Sequence, residues 1–454
     1  MGHPCSLLKL LTSLLLSLHL FNVTEAHSAA TRYELSNGLT VVLQPDHRAP
    51  VVEVQVWYSV GGMDESGGLT GVSHALEHMM FKGAPNTVSG DFNSIMNTLG
   101  AFSNAFTSTD YTVFHNSLIN NRLPVMLAVE AGRMSHITVR EQDFATEHQV
   151  ILKEWRAGSI DDPEGFADER FMTIAHVISP YRQPVIGWSD DVQSLTAQKV
   201  QDWYNQWYHP NNASLVIVGD IDIPETKSLV EKYFSKIPRK ILPASLPVRE
   251  LNEPGERQIK LTHPQAPSLS FWMAFNVPAI KQDDNDWEPY ALRMLTGILD
   301  EGYSARVETE LVRNKNIATS IGAFYHPLGR SDTLLVFYGE PNQTQQVKSE
   351  QVIDAIWTLI NEIKQTPPSG DELRRVHSQI TAQDVFSEDD LSTIAFKLGE
   401  LTALGLPVEW QENYSKKLKT ITPEQIQQVA RKYLVPQRLT TGFLNPESVN
   451  GKQP

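Results

Sequence analysis

Cysteine is almost missing from this chain of 454 residues: Cys5 stands alone, inside the amino-terminal leader, so no disulfide can staple the rest. Stability must come from buried apolar side chains, which a chain this long can supply. Basic residues are scarce as well, with 38 Lys and Arg against 53 Asp and Glu and a net charge of −15. So acidic a balance lacks the basic stripes that nucleic acid and anionic membrane surfaces require, and neither is expected as a partner. Long apolar runs are absent beyond the leader. Leu7 to Phe21 form one of about 15 residues, short of the roughly 20 that cross a bilayer, and small residues near Ala26 and Ser28 offer a cleavage point. Residues 1–28 therefore read as a signal peptide, with a retained anchor as the alternative, and the protein as periplasmic or secreted. Losing Lys9 and Glu25 with the leader leaves the charge unchanged. Asn22-Val-Thr and Asn212-Ala-Ser match the glycosylation triplet, the first of them within the leader.

What the chain does have is His74-Ala75-Leu76-Glu77-His78. Residues four apart on a helix are neighbours, so the two imidazoles can grip one metal ion while Glu77 points at its water. Imidazole nitrogens suit zinc, and a hydrolytic zinc keeps three protein ligands and one open position. Thr70 is the expected N-cap, Val72, Leu76, Met79 and Phe81 the apolar positions, and Gly83 the stop. A second helix is expected from Phe144 to Gly158, with Glu147 and Glu154 seven residues, or two turns, apart on one face. One can bind the metal while the other orients a ligand. His148 faces away from that stripe and reads as a surface histidine.

Length suggests two or three domains, and an internal echo selects two. Leu195 to Pro210 and Ile421 to Pro436 share spacing throughout, each a Thr-capped amphipathic helix entering a strand, at Ala213–Val218 and Leu439–Leu444. Pro238, Pro243, Pro247 and Pro254 mark a linker over 238–256, between domains at 29–237 and 257–454. Strands near Tyr33–Gln44, Val51–Val60 and Tyr111–Leu118 alternate with helices, and strands near Arg257–Thr262, Leu269–Asn276 and Thr333–Tyr338 repeat the scheme. The expected fold is α+β: helices on a mostly antiparallel sheet, built twice. The matching part of the second copy, Leu295 to Arg306, has no histidine and can hold no such site. Ser103 to His115, rich in β-branched and aromatic residues, is expected to lead into an edge strand that offers unpaired backbone to an extended peptide. His115 is expected to be packed rather than ligating.

On the His-x-x-Glu-His motif and the acidic helix, the chain resembles the inverzincin metallopeptidases, the pitrilysin and insulinase family that includes mitochondrial processing peptidase. Asn37–Leu43, Gly61–Glu65, Asn104–Thr112 and Tyr208–Asp220 are similar to family segments too. The resemblance implies a zinc-dependent endopeptidase with one zinc per chain, hydrolysing peptides or unfolded polypeptides in a closed chamber. It implies His74 and His78 as ligands, Glu77 as general base, Glu154 as third ligand, and Glu147 as the carboxylate behind a ligand. It places Asn104 and Ala105 against the substrate backbone. Family members also carry an Arg and a Tyr in the second half; Leu311 to Thr319 keeps Arg313 but has Thr319 at the tyrosine position and is one residue short. That departure suggests a second similar subunit, in a heterodimer or a homodimer. Tyr303 or Tyr325 as substitute, or Arg313 as a surface charge, are the alternatives. A non-catalytic assembly or scaffold subunit is the competing function, and a zinc hydrolase of another bond a third.

Overall fold

A computed structural model of the protein describes residues 29–82, 91–244, 249–281 and 286–447. The leader with its glycosylation triplet, Gly83, and Pro247 of the linker lie outside the described residues.

The first half builds a six-stranded sheet from β1 (Thr31–Glu34), β2 (Thr40–Pro45), β3 (Val51–Tyr58), β4 (Phe102–Thr107), β5 (Thr112–Ile119) and β6 (Ala213–Gly219). Their order across the sheet is β1-β2-β6-β3-β5-β4. Every pairing is antiparallel except β2 with β6. The run expected as one strand from Tyr33 to Gln44 is a hairpin, because the chain turns back at Asn37-Gly38 with Leu35 N–H donating to Leu39 O. Helices α1 (Val72–Met79), α2 (Asp91–Leu99), α3 (Leu123–Ser135), α4 (Glu141–Arg156), α5 (Pro163–Ala175), α6 (Ser189–Gln193), α7 (Ala197–Trp207) and α8 (Ile223–Phe234) complete this half.

The second half repeats the plan with β7 (Arg257–His263), β8 (Ser270–Val277), β9 (Ala318–Tyr325), β10 (Thr333–Pro341) and β11 (Leu439–Pro446), ordered β7-β11-β8-β10-β9. Its helices are α9 (Glu288–Asp300), α10 (Ser349–Gln365), α11 (Gly370–Ser387), α12 (Leu391–Ala403), α13 (Trp410–Thr420) and α14 (Pro423–Tyr433). The echo holds in three dimensions: Thr196 caps α7 through Lys199 N–H, Thr422 caps α14 through Gln425 N–H, and each helix leads into an interior strand, β6 or β11, that pairs in parallel on one side. The protein is thus an α+β fold of two similar halves. Strand β9 is absent from the strands expected on sequence grounds; it pairs with β10 along the outer edge of the second sheet.

Alternation along β3 sends Val52, Val54, Val56 and Tyr58 into a core shared with α1, α3, α7 and α8. Glu53, Gln55 and Trp57 face the other way and are just as buried. Their cover comes from the second half. Ile394, Ala395 and Leu398 of α12 pack with Trp57, Val113, Val216 and Val218. A Cβ on Gly399 would collide with the Trp57 ring, so only glycine allows this approach. The exchange is reciprocal, since Phe171 and Ala175 of α5 pack on Ala274 and Leu334 of the second sheet.

Candidate metal centre

Helix α1 begins from a backbone conformation that only glycine adopts freely: its N-cap is Gly71, at φ +85°, and not Thr70. Thr70 is engaged elsewhere, its hydroxyl donating to Asp191 at 2.6 Å and accepting Trp188 N–H at 2.9 Å. The capping acceptor is instead Glu65, whose carboxylate takes the N–H groups of Gly71 at 2.7 Å and Ser73 at 2.8 Å. Burial outweighs those two bonds and pushes the Glu65 carboxyl up to about 8.

One turn on, His74, Glu77 and His78 share the side of α1 that meets α4 and β4. Ligand atoms of His74, His78 and Glu154 all lie within 4.8 Å of one another. Glu154 Oε2 is 3.3 Å from His78 Nε2 and 3.9 Å from His74 Nε2. Its side chain is 46% exposed while the imidazoles are below 20%, so the cluster opens to solvent on the Glu154 side. Burial and the neighbouring His78 lower His74 to about 4, which keeps its imidazole neutral and its lone pair free at neutral pH.

Glu147 stands behind the cluster. Its Oε2 is 3.3 Å from His78 Nδ1, and its other oxygen is 2.9 Å from Lys82 Nζ. A carboxylate there favours the tautomer with the proton on Nδ1, the one that would offer the Nε2 lone pair to a metal. Glu77 is also buried, which raises its carboxyl despite the Thr107 hydroxyl donating to Oε2 at 2.7 Å. Sequence reasoning misses Thr107 and Glu65 as site residues, although both lie in segments similar to the family's. His148 departs from expectation: its ring stacks on Phe144 at 5.1 Å and its Nε2 lies 2.7 Å from Val192 O, because α6 folds over that face of α4.

Asn104 and Ala105 lie on β4, the outer strand of the first sheet beyond β5. Asn104 is exposed, and its side chain accepts the Ala105 N–H at 2.9 Å. His115 is half-buried on the neighbouring strand, 3.8 Å from Glu53 and away from the cluster. Arg313 does not join the cluster among the described residues. Its guanidinium lies 3.8 Å over the Tyr303 ring and donates to Tyr303 O and Thr309. Tyr325 is buried with its hydroxyl on Pro278 O, whereas Tyr303 is 71% exposed. Helix α9 takes the place of α1 in the second half, and Leu295, Ile298 and Leu299 fill its buried positions.

Comparison with known proteins agrees with this architecture. Residues 40–187 match the family model for insulinase, peptidase family M16, and residues 194–380 the model for the M16 inactive domain. The zinc protease PqqE of Helicobacter pylori is 29% identical over 445 residues, covering 96% of this chain and 97% of that protein. A crystal structure of a protease from Helicobacter pylori superposes with a TM-score of 0.86 at 26% identity, over 92% of this chain and all of that one. The periplasmic protease PqqL of Escherichia coli gives a TM-score of 0.75 at 21% identity, and this chain covers 48% of it. The chain belongs to the pitrilysin/insulinase (M16) family of zinc peptidases, as a half-size member.

Proposed function

We propose that the chain is a zinc-dependent endopeptidase acting outside the cytoplasm on peptides or unfolded polypeptides, with a second similar subunit closing the chamber. The convergence of His74, His78 and Glu154 beside Glu77 carries the reading. The donor set fits zinc: two imidazole nitrogens and a carboxylate oxygen from two packed helices, one imidazole backed by Glu147. When bound, zinc supplies a Lewis acid for the scissile carbonyl and brings the pKa of a water to roughly 7. With Oε2 held by Thr107, Glu77 accepts the water proton at Oε1 and returns it to the leaving amine. Burial makes it a stronger base than an exposed glutamate, as that task requires. The substrate adds to the open edge of β4, displacing the Asn104 side chain from the Ala105 amide. Export is supported by the apolar leader and by the periplasmic description of the PqqL relative. A companion subunit, whether a different chain or a second copy, is supported by the half-size and by Thr319 at the tyrosine position.

Zinc content and cleavage of a denatured, carboxymethylated polypeptide by the purified chain, alone and with a candidate companion, test the proposal. Glu77→Gln should keep the metal and lose turnover, whereas His74→Ala and Glu154→Ala should lose the metal. Equal zinc and equal activity in all three variants would refute these roles, and bound zinc without cleavage by any combination would favour the scaffold subunit.

A further inference from the structure

Two loops hold the reactive end of α1, and a single residue of the other half holds both loops. The first runs through the 3-10 turn Gly62–Asp64 to Glu65, which caps α1. The second is the turn between β4 and β5, whose leading residue Thr107 engages Glu77. Gly62 N–H donates to Ser108 O at 3.1 Å and Met63 N–H to Thr109 O at 2.9 Å, so the loops are zipped together. Into this junction reaches Arg330, from the turn between β9 and β10. Its two terminal nitrogens grip Asp64 in a fork, at 2.7 Å and 2.8 Å, and Nη1 lies 3.4 Å from Asp110 O. Asp64 Oδ2 in turn accepts Gly61 N–H at 3.0 Å. Tyr181 closes the ring: its hydroxyl accepts the Arg330 and Ser331 amides and donates to Asp110 at 2.6 Å. The Asp64 side chain is 7% exposed and that of Arg330 19%. A fork so well buried specifies one geometry, which a lysine cannot reproduce.

We propose that Arg330 is a positioning residue for the reaction, fixing through Asp64 and Asp110 the two loops that orient Glu77 and the start of α1. The inference rests on the peptidase reading above. It makes the placement of the general base depend on how the second half sits against the first, although that half has no ligand in the described cluster. Loosening the latch displaces Glu77 without touching a metal ligand, so turnover should fall while zinc and substrate binding persist.

The test uses the full, zinc-loaded chain, with any companion that activity requires, carrying Arg330→Ala, Arg330→Lys or Asp64→Asn. Expected are a kcat lowered by about tenfold to hundredfold, an unchanged KM, unchanged zinc stoichiometry, and partial recovery of Arg330→Ala by added methylguanidinium. Faster amide exchange at Gly71, Ser73 and Thr107 should accompany the loss. Should Arg330→Ala fail to fold, Arg330→Lys and Asp64→Asn decide, because each retains part of the contact. Wild-type kcat and wild-type exchange in folded variants overturn the proposal. If the wild-type chain cuts nothing, the peptidase reading fails by itself, and exchange at those amides in Arg330→Lys still decides whether the latch exists.

Discussion

Replacing Glu147 by glutamine changes no atom count among the heavy atoms and removes one charge from behind His78. The carboxylate now lies 3.3 Å from His78 Nδ1 and 2.9 Å from Lys82 Nζ, with its side chain only 12% exposed. As a carboxylate it can accept Nδ1–H and so orients the ring with Nε2 towards Glu154; as an amide it can still touch Nδ1 but no longer offers that charged acceptor. Lys82 loses its counter-charge in a partly buried place, an added penalty that zinc does not relieve. Carboxylates behind histidine ligands are worth about 10-fold to 100-fold in metal affinity, which at 1.4 kcal/mol per decade is about 1.4 to 3 kcal/mol. Competition against a chromogenic chelator gives the zinc dissociation constant of the wild type and of Glu147→Gln under one set of conditions. The variant should bind weaker by that factor and recover activity when zinc is raised in proportion. A dissociation constant unmoved by the substitution would refute the role assigned to Glu147, and with it the tautomer assigned to His78.

Two further expectations concern the frame. Gly399→Ala places a methyl group against the Trp57 ring, and because α12 must then lift from the first sheet, the cost should be about 1–3 kcal/mol; denaturant unfolding measures it, and an unchanged midpoint would contradict the packing described. Glu65 gives stability a pH dependence whose sign follows from its raised carboxyl. Between the ordinary value of 4.5 and about 8 the folded state holds the proton that the unfolded chain has released, so stability should decline as pH rises through that window, by up to about 1.4 kcal/mol per unit. Urea midpoints of wild type and Glu65→Gln between pH 5 and pH 8 should show a shallower slope in the variant; parallel slopes would sink the assignment.

The residues that cluster around His74 are legible because each of their signals is local. His74, Glu77 and His78 lie within one helical turn and a half, and Glu147 and Glu154 within two turns, so helix geometry alone puts each set on one face. The echo of α7 in α14 is readable for the same reason, since a threonine cap and a helical apolar period leave their mark in sixteen consecutive residues. What stays hidden depends on partners far along the chain. Thr70 has the chemistry of an N-cap, yet its hydroxyl is taken by Asp191, 121 residues away. His148 sits on the polar side of α4 as a sequence, and only the fold of α6 covers it. Strand β9 begins at Ala318, inside the stretch compared with the family's Arg–Tyr segment, and that resemblance masks its strand character. Nothing local in α5 or α12 announces that each lies on the other half's sheet.

That crossing of helices has a practical meaning for anyone who would take the molecule apart. A fragment ending in the linker would carry α5 with nothing to lie against and leave Trp57 and Val216 bare; its counterpart would present the naked stripe of α12. The pieces should be insoluble separately and recover only when refolded as a mixture, while a protease nick between them should release neither from the other.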